Sequence, residues 1–188
     1  MKKIAVLFAF GTEEIEGITP VDILRRAGAE CDIVSVSGKT IVGSHGIQII
    51  ADKLIEDIDA DDYDGVVIAG GMPGATNVSN NQKAVEFIKK LNKSGKLISA
   101  ICASPAVVLA SHGLINGKAT CYPAPQFIEL LGDNYANYDV VRTDNVITAN
   151  GPKSALKFAL EIVKYLNLKY GEYKHMYIKF SNLKSVIL

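Results

Sequence analysis

"KLISAICASPAVVLA", residues 96 to 110, holds the reading on which the fold turns. An apolar run ends on Cys102, and Ser104-Pro105 then has the chemistry of a helix start, so the chain must turn sharply within about two residues of the cysteine. A strand, tight turn and helix in this order form a nucleophile elbow. The side chain at the turn is pushed out of the sheet, and the amides of the next helix point toward it. Helix N-termini lower cysteine pKa values into the range of about 3.5 to 7.5, which favours the thiolate. Free cysteine is also among the most buried residue types and packs as a small hydrophobe. The local sequence leaves both readings of Cys102 open.

Outward from this stretch, "KIAVLFAF" (3–10), "CDIVSVSG" (31–38) and "GVVIAGG" (65–71) are further apolar runs. Such runs mark strands buried on both faces of a parallel sheet. Helical patterns lie between and after them. In "KAVEFIKKLNKSG" (83–95) Ala84, Phe87, Ile88 and Leu91 recur at helical spacing, and "SALKFALEIVKYL" (154–166) offers Leu156, Ala159, Leu160 and Val163. The alternation predicts a doubly wound α/β sandwich with a mostly parallel sheet and its site at the carboxyl ends of the strands. Two segments depart from the alternation. "IVGSHGIQII" (41–50) reads as a hairpin turning at His45-Gly46, and "DVVRTDNVITA" (139–149) as one turning at Asp144-Asn145.

The first helix is expected to start at Thr19 as N-cap with Pro20 at its first position. That leaves "GTEEIEG" (11–17) as a turn after the first strand, carrying Glu13, Glu14 and Glu16. Acids at this place complement a helix dipole, as Arg25 and Arg26 do at the other end. The final segment, 171–188, fits a helix or an irregular tail.

Composition narrows the function classes. The 188 residues read as a single domain, and 20 basic against 20 acidic side chains leave no electrostatic footprint for nucleic acid. No apolar run approaches the roughly 20 residues of a membrane helix. The N-terminal run lacks a small-residue cleavage site and reads as a strand rather than a secretory signal. Cys31, Cys102 and Cys121 form an odd, widely spaced set without C-x-x-C, which argues against disulfides or zinc and for a reducing cytoplasm. Packing is the preferred reading of Cys31 and Cys121.

"GTEEIEGITPVDILRRAG" (11–28), "DYDGVVIAGGMPGA" (62–75), "AICASPAVVLA" (100–110) and "NGPKSALKFALEIV" (150–163) together resemble the ThiJ/PfpI superfamily, in the branch of the parkinsonism-associated protein deglycase. The resemblance implies a flavodoxin-like sandwich, related to class I glutamine amidotransferases, and a homodimer. It places the nucleophile on Cys102 and a protonated carboxyl partner on Glu16. It also implies an oxyanion-type hole from the amides of Gly71 and Ala103, with Gly70-Gly71 as the turn after the third parallel strand. That turn is not a G-x-G-x-x-G dinucleotide loop. Where relatives place a histidine near the cysteine this chain has Tyr122, and where they place an arginine in the first hairpin it has His45, a possible accessory to the site.

The implied activity is that of a glyoxalase or deglycase acting on methylglyoxal, glyoxal or early glycation adducts, without metal or other cofactor. A redox sensor or chaperone working through oxidation of Cys102 is the alternative from another class. A cysteine peptidase is the weaker third, because His45, His112 and His175 are all poorly placed to serve as its base.

Overall fold

A computed structural model describes residues 1–168, and the segment 171–188 lies outside the described residues. Its elements run in the order β1 (Lys3–Phe8), α1 (Glu14–Arg26), β2 (Glu30–Ser35), β3 (Thr40–Val42), β4 (Gln48–Ile50), β5 (Lys53–Leu54) and β6 (Gly65–Ile68). There follow α2 (Gly74–Asn80), α3 (Gln82–Lys93), β7 (Leu97–Ile101), α4 (Pro125–Leu131), β8 (Val140–Thr143), β9 (Val146–Ala149) and α5 (Ala155–Tyr165). After β7 a π-helical turn, Pro105–Leu109, stands where the elbow helix is expected and passes into a 3-10 turn, Ala110–His112.

Seven strands form one sheet in the order β5-β2-β1-β6-β7-β9-β8, parallel except for β8 against β9. Its inner order β2-β1-β6-β7-β9 is that of a flavodoxin-like doubly wound sheet, in which the crevice opens beside the first strand where the winding reverses. Both expected hairpins form, β3-β4 as a separate two-stranded ribbon and β8-β9 at the sheet edge.

Period-two alternation distributes β1 between two cores. Ile4, Val6 and Phe8 pack on the side of α1 and α5 with Leu24 and Phe158, whereas Ala5, Leu7 and Ala9 pack on the side of α3 with Phe87, Ile88 and Leu91. All four apolar positions predicted for α3 are buried, and Asn81 caps it by accepting from the Ala84 amide at 2.9 Å. In α5 the stripe is turned relative to expectation: Ala155, Phe158, Ala159 and Ile162 face the sheet with Val163, while Leu156 is 38% exposed. The same spacing fits both sets, and the large Phe158 ring belongs to the one that is buried.

The start of α1 is a second correction. The helix begins at Glu14, not after Thr19, and Pro20 lies inside it. An interior proline removes the backbone bond to the carbonyl four residues earlier, here that of Glu16. Burial of Val21, Ile23 and Leu24 favours the helical path nonetheless, as tertiary packing commonly does over local propensity. Glu16 thereby becomes a first-turn residue with a fixed direction rather than part of a loose turn.

Candidate active site

Three strand ends build the site. At the end of β7, Cys102 adopts φ 65°, a left-handed conformation that is costly for a side-chain-bearing residue and persists where its surroundings impose it. Its amide donates to the Ala149 carbonyl at 2.9 Å, and its carbonyl accepts from the Tyr122 amide at 2.7 Å. The buried Ser104 hydroxyl donates to the Ala69 carbonyl at 2.7 Å, tying the elbow to the end of β6. Serine after a strand reads as a helix cap, so this tie has no signal of its own in the sequence.

After β6, Gly70 and Gly71 approach the elbow too closely for any side chain. A methyl on Gly70 would lie 2.6 Å from the Cys102 Cβ and would strike the Glu16 carboxyl. One on Gly71, at φ 87°, would overlap the backbone of residues 11 to 13. The amides of Gly71 and Ala103 are directed at the Cys102 sulfur. They pull the thiol pKa down, but burial and the negative charge of Glu16 push it up to about 12. The elbow by itself therefore does not produce the low-pKa thiol expected from a helix terminus. The short π-helical turn is outweighed by desolvation.

Glu16 faces the same sulfur from the first turn of α1. It is fully buried in the first turn of α1, and the groups facing its carboxyl are the Cys102 sulfur and the Gly70 amide. Neither carboxyl oxygen reaches a partner at full hydrogen-bond geometry. Burial raises its pKa to about 7, with the charge of Glu13 adding to the rise and the facing thiol and amide opposing it. Carboxyl and thiol act as one coupled pair. With the carboxyl raised to about 7 and the thiol to about 12, the titrations of the two groups depend on each other.

Local packing fixes the carboxyl in this position. The Glu13 amide donates to the Gly70 carbonyl at 3.0 Å, and the Thr12 hydroxyl accepts from the Ala9 amide at 2.9 Å. Gly17 lies against the Phe8 ring, where a methyl would overlap it. Thr12 and Gly17 are positioning residues that the sequence reading did not single out.

The remaining candidates separate. Tyr122 lies beside the elbow through its backbone bond to Cys102. His45 is 67% exposed, and its Nδ1 is 2.9 Å from Glu14 Oε2, so it pairs with a carboxylate that does not face the sulfur. The buried Glu14 carboxylate also accepts from the amides of His45 and Ile47 and clasps the β3-β4 hairpin. Glu13, Glu14 and His45 bring one ligand atom each within 4.8 Å of one another, the kind of grouping that could hold a cation, but the clasp already occupies them. His112 rests 3.0 Å from the Ser79 hydroxyl, and His175 lies outside the described residues. Neither described histidine partner is Cys102.

Cys31 and Cys121 are buried, and burial raises their thiols to about 12 and about 11. Arg25 does more than complement a dipole, because it forks onto the Cys31 carbonyl and Asp52.

Comparison with known proteins returns the same lineage. The family model described as DJ-1/PfpI family matches residues 2–165. Protein DJ-1 homolog B of Arabidopsis thaliana is 35% identical over 183 residues, 96% of this chain and 41% of that protein, so the chain spans less than half of that relative's length. The Caenorhabditis elegans protein named Glutathione-independent glyoxalase DJR-1.2 is 37% identical over 155 residues, 82% of each chain. Among solved structures, Toxoplasma gondii DJ-1, described as oxidized, superposes with a TM-score of 0.85 at 40% identity, covering 88% of this chain and 91% of that one.

Proposed function

The chain belongs to the DJ-1/PfpI family, and from that premise we propose that it is a cofactor-independent glyoxalase or deglycase with Cys102 as nucleophile. The observation that carries the reading is a sulfur set between the Gly71 and Ala103 amides and facing a buried carboxyl whose pKa is raised to about 7. The name of the nematode relative supports the choice of reaction.

The thiolate of Cys102 attacks the aldehyde carbon of methylglyoxal, and the neutral Glu16 carboxyl gives its proton to the resulting alkoxide, forming a hemithioacetal. Glu16, now a carboxylate, removes the proton from that carbon to give an enediol and returns it to the neighbouring carbon, leaving a thioester. Water hydrolyses the thioester, lactate leaves and the thiol is restored. The two amides hold the negative oxygen as it develops. Glyoxal gives glycolate by the same steps, and an early glycation adduct offers the same hemithioacetal carbon.

Turnover of methylglyoxal by wild type, Cys102→Ala and Glu16→Gln, followed as lactate formed, tests the reading. Loss of at least about a hundredfold in both variants is expected, the scale of a general acid-base contribution. Wild-type rates in Cys102→Ala would overturn it.

A second reading, oxidation sensing, is favoured by burial: Cys102 is partly exposed, while Cys31 and Cys121 are buried. Mild peroxide followed by peptide mass spectrometry should add two oxygens to Cys102 before either other thiol; equal oxidation of all three would exclude it.

The proposed assembly is a homodimer through the exposed Ile15 and Ile18 of α1 and Ile47 and Ile50 of the hairpin docked beside it. The three free cysteines support a reducing, cytoplasmic setting.

A further inference from the structure

Tyr122 is held more firmly than an exposed aromatic usually is. Its amide donates to the Cys102 carbonyl at 2.7 Å, and its own carbonyl accepts from the Ala124 amide at 2.8 Å. Residue 102 is bonded in turn to Ala149 at the end of β9. From one side of the elbow the Tyr122 ring reaches Gly151, two residues beyond Ala149, where a methyl would lie 3.4 Å from Cδ2 and 3.9 Å from Cε2. The ring edge thus lies beside the turn between β9 and α5, next to the segment whose Ala149 carbonyl accepts from the Cys102 amide. Gly151 has φ 147°, a conformation glycine adopts freely.

Tyr122 nevertheless remains 45% exposed. An aromatic with a hydrogen-bonded backbone, one edge beside a turn and open surface is a preformed flat wall. It has only two side-chain torsions to restrict when a ligand covers it.

We infer that Tyr122 is a specificity-determining wall of the Cys102 site and selects dicarbonyls that carry a flat apolar group beside the aldehyde. This rests on the glyoxalase reading and names its preferred substrate class. Phenylglyoxal is the simplest probe: Cys102 attacks its aldehyde carbon, its aryl group stacks on the Tyr122 ring, and the proton shifts and hydrolysis described for methylglyoxal convert it with water to mandelate. Glyoxal, which has no such group, is the reference.

The test is the ratio of kcat/KM for phenylglyoxal to that for glyoxal, measured in wild type and in Tyr122→Ala, Tyr122→Leu and Tyr122→Phe. A stacked aromatic pair is worth roughly two- to tenfold, so the ratio should fall by that factor in the Ala and Leu variants and be kept in Phe. An unchanged ratio in both Ala and Leu overturns the inference. A fall in Phe equal to that in Ala assigns the effect to the hydroxyl and overturns it too.

A second measurement does not depend on turnover: the rate of Cys102 alkylation by phenacyl bromide relative to iodoacetamide, read by intact mass with Cys102→Ser as the blank. The aryl preference should fall in Tyr122→Ala and persist in Tyr122→Phe. If wild type converts no dicarbonyl the glyoxalase reading fails, and the alkylation ratio alone then decides the role of Tyr122.

Discussion

Cys102 and Glu16 illustrate how two unfavourable burials become useful together. Each group resists ionisation in its own surroundings, yet between them they need to hold only one proton near neutral pH. The raised pKa of Glu16 has a definite consequence for stability. The folded protein retains a proton that the unfolded chain loses near 4.5, so this contribution is complete below 4.5 and is lost as pH rises through about 7. Glu16→Gln cannot ionise. Urea unfolding at about pH 5 and pH 8 should show wild type losing more stability than the variant over that interval. The identity of Cys102 as the elbow residue was legible because strand, turn and helix signals converge on it. Its partner was legible only through family resemblance, since three glutamates share one turn and nothing local separates them. The helix start at Glu14 separates them: Glu16 points to the sulfur and Glu14 to the hairpin.

The elements that follow hydrophobic patterning were the readable ones. α3 keeps all four predicted apolar positions inside, and both hairpins turn where expected. α2, with "GATNVSN", has only Ala75 and Val78 as a buried apolar pair to announce it, and its Ala75 amide donates to the Gly71 carbonyl of the preceding turn at 2.9 Å. α1 misled because Thr19-Pro20 imitates a helix start that buried contacts then override. The β3-β4 hairpin depends on the acidic turn for its place. The carboxyl of Glu14 is held down at about 2: burial opposes this, but hydrogen bonds from His45 and from the amides of Glu14, His45 and Ile47 more than offset it. The stabilisation is present above 4.5 and is lost as pH falls through about 2. Glu14→Gln should therefore flatten the acid limb of stability between those values. Hydrogen exchange should also quicken in the hairpin, at Gly43 and Ile47, while β6 and β7 are unaffected.

For the whole molecule, the proposed homodimer would bury the exposed Ile15, Ile18, Ile47 and Ile50 of α1 and the hairpin. A charge on this face is costly to bury unpaired, so Ile50→Glu should shift a dimer toward monomer by at least about tenfold in dissociation constant. Sedimentation equilibrium measures this, and a wild-type monomer at all concentrations would refute the proposed assembly. Among the described residues no helix is long and apolar enough to cross a membrane.

What the sequence determined by itself was the layered α/β plan, the parallel strands and the sharp turn at Cys102. Those follow from periodicity and turn chemistry, which are short-range properties of the chain. Only the tertiary structure decided which glutamate meets the sulfur, which face of α5 is buried, that His45 serves the hairpin, and that the thiol pKa is governed by burial rather than by the helix terminus. Each of these depends on groups far apart in sequence meeting at strand ends, where distance and desolvation, rather than local pattern, set the energies.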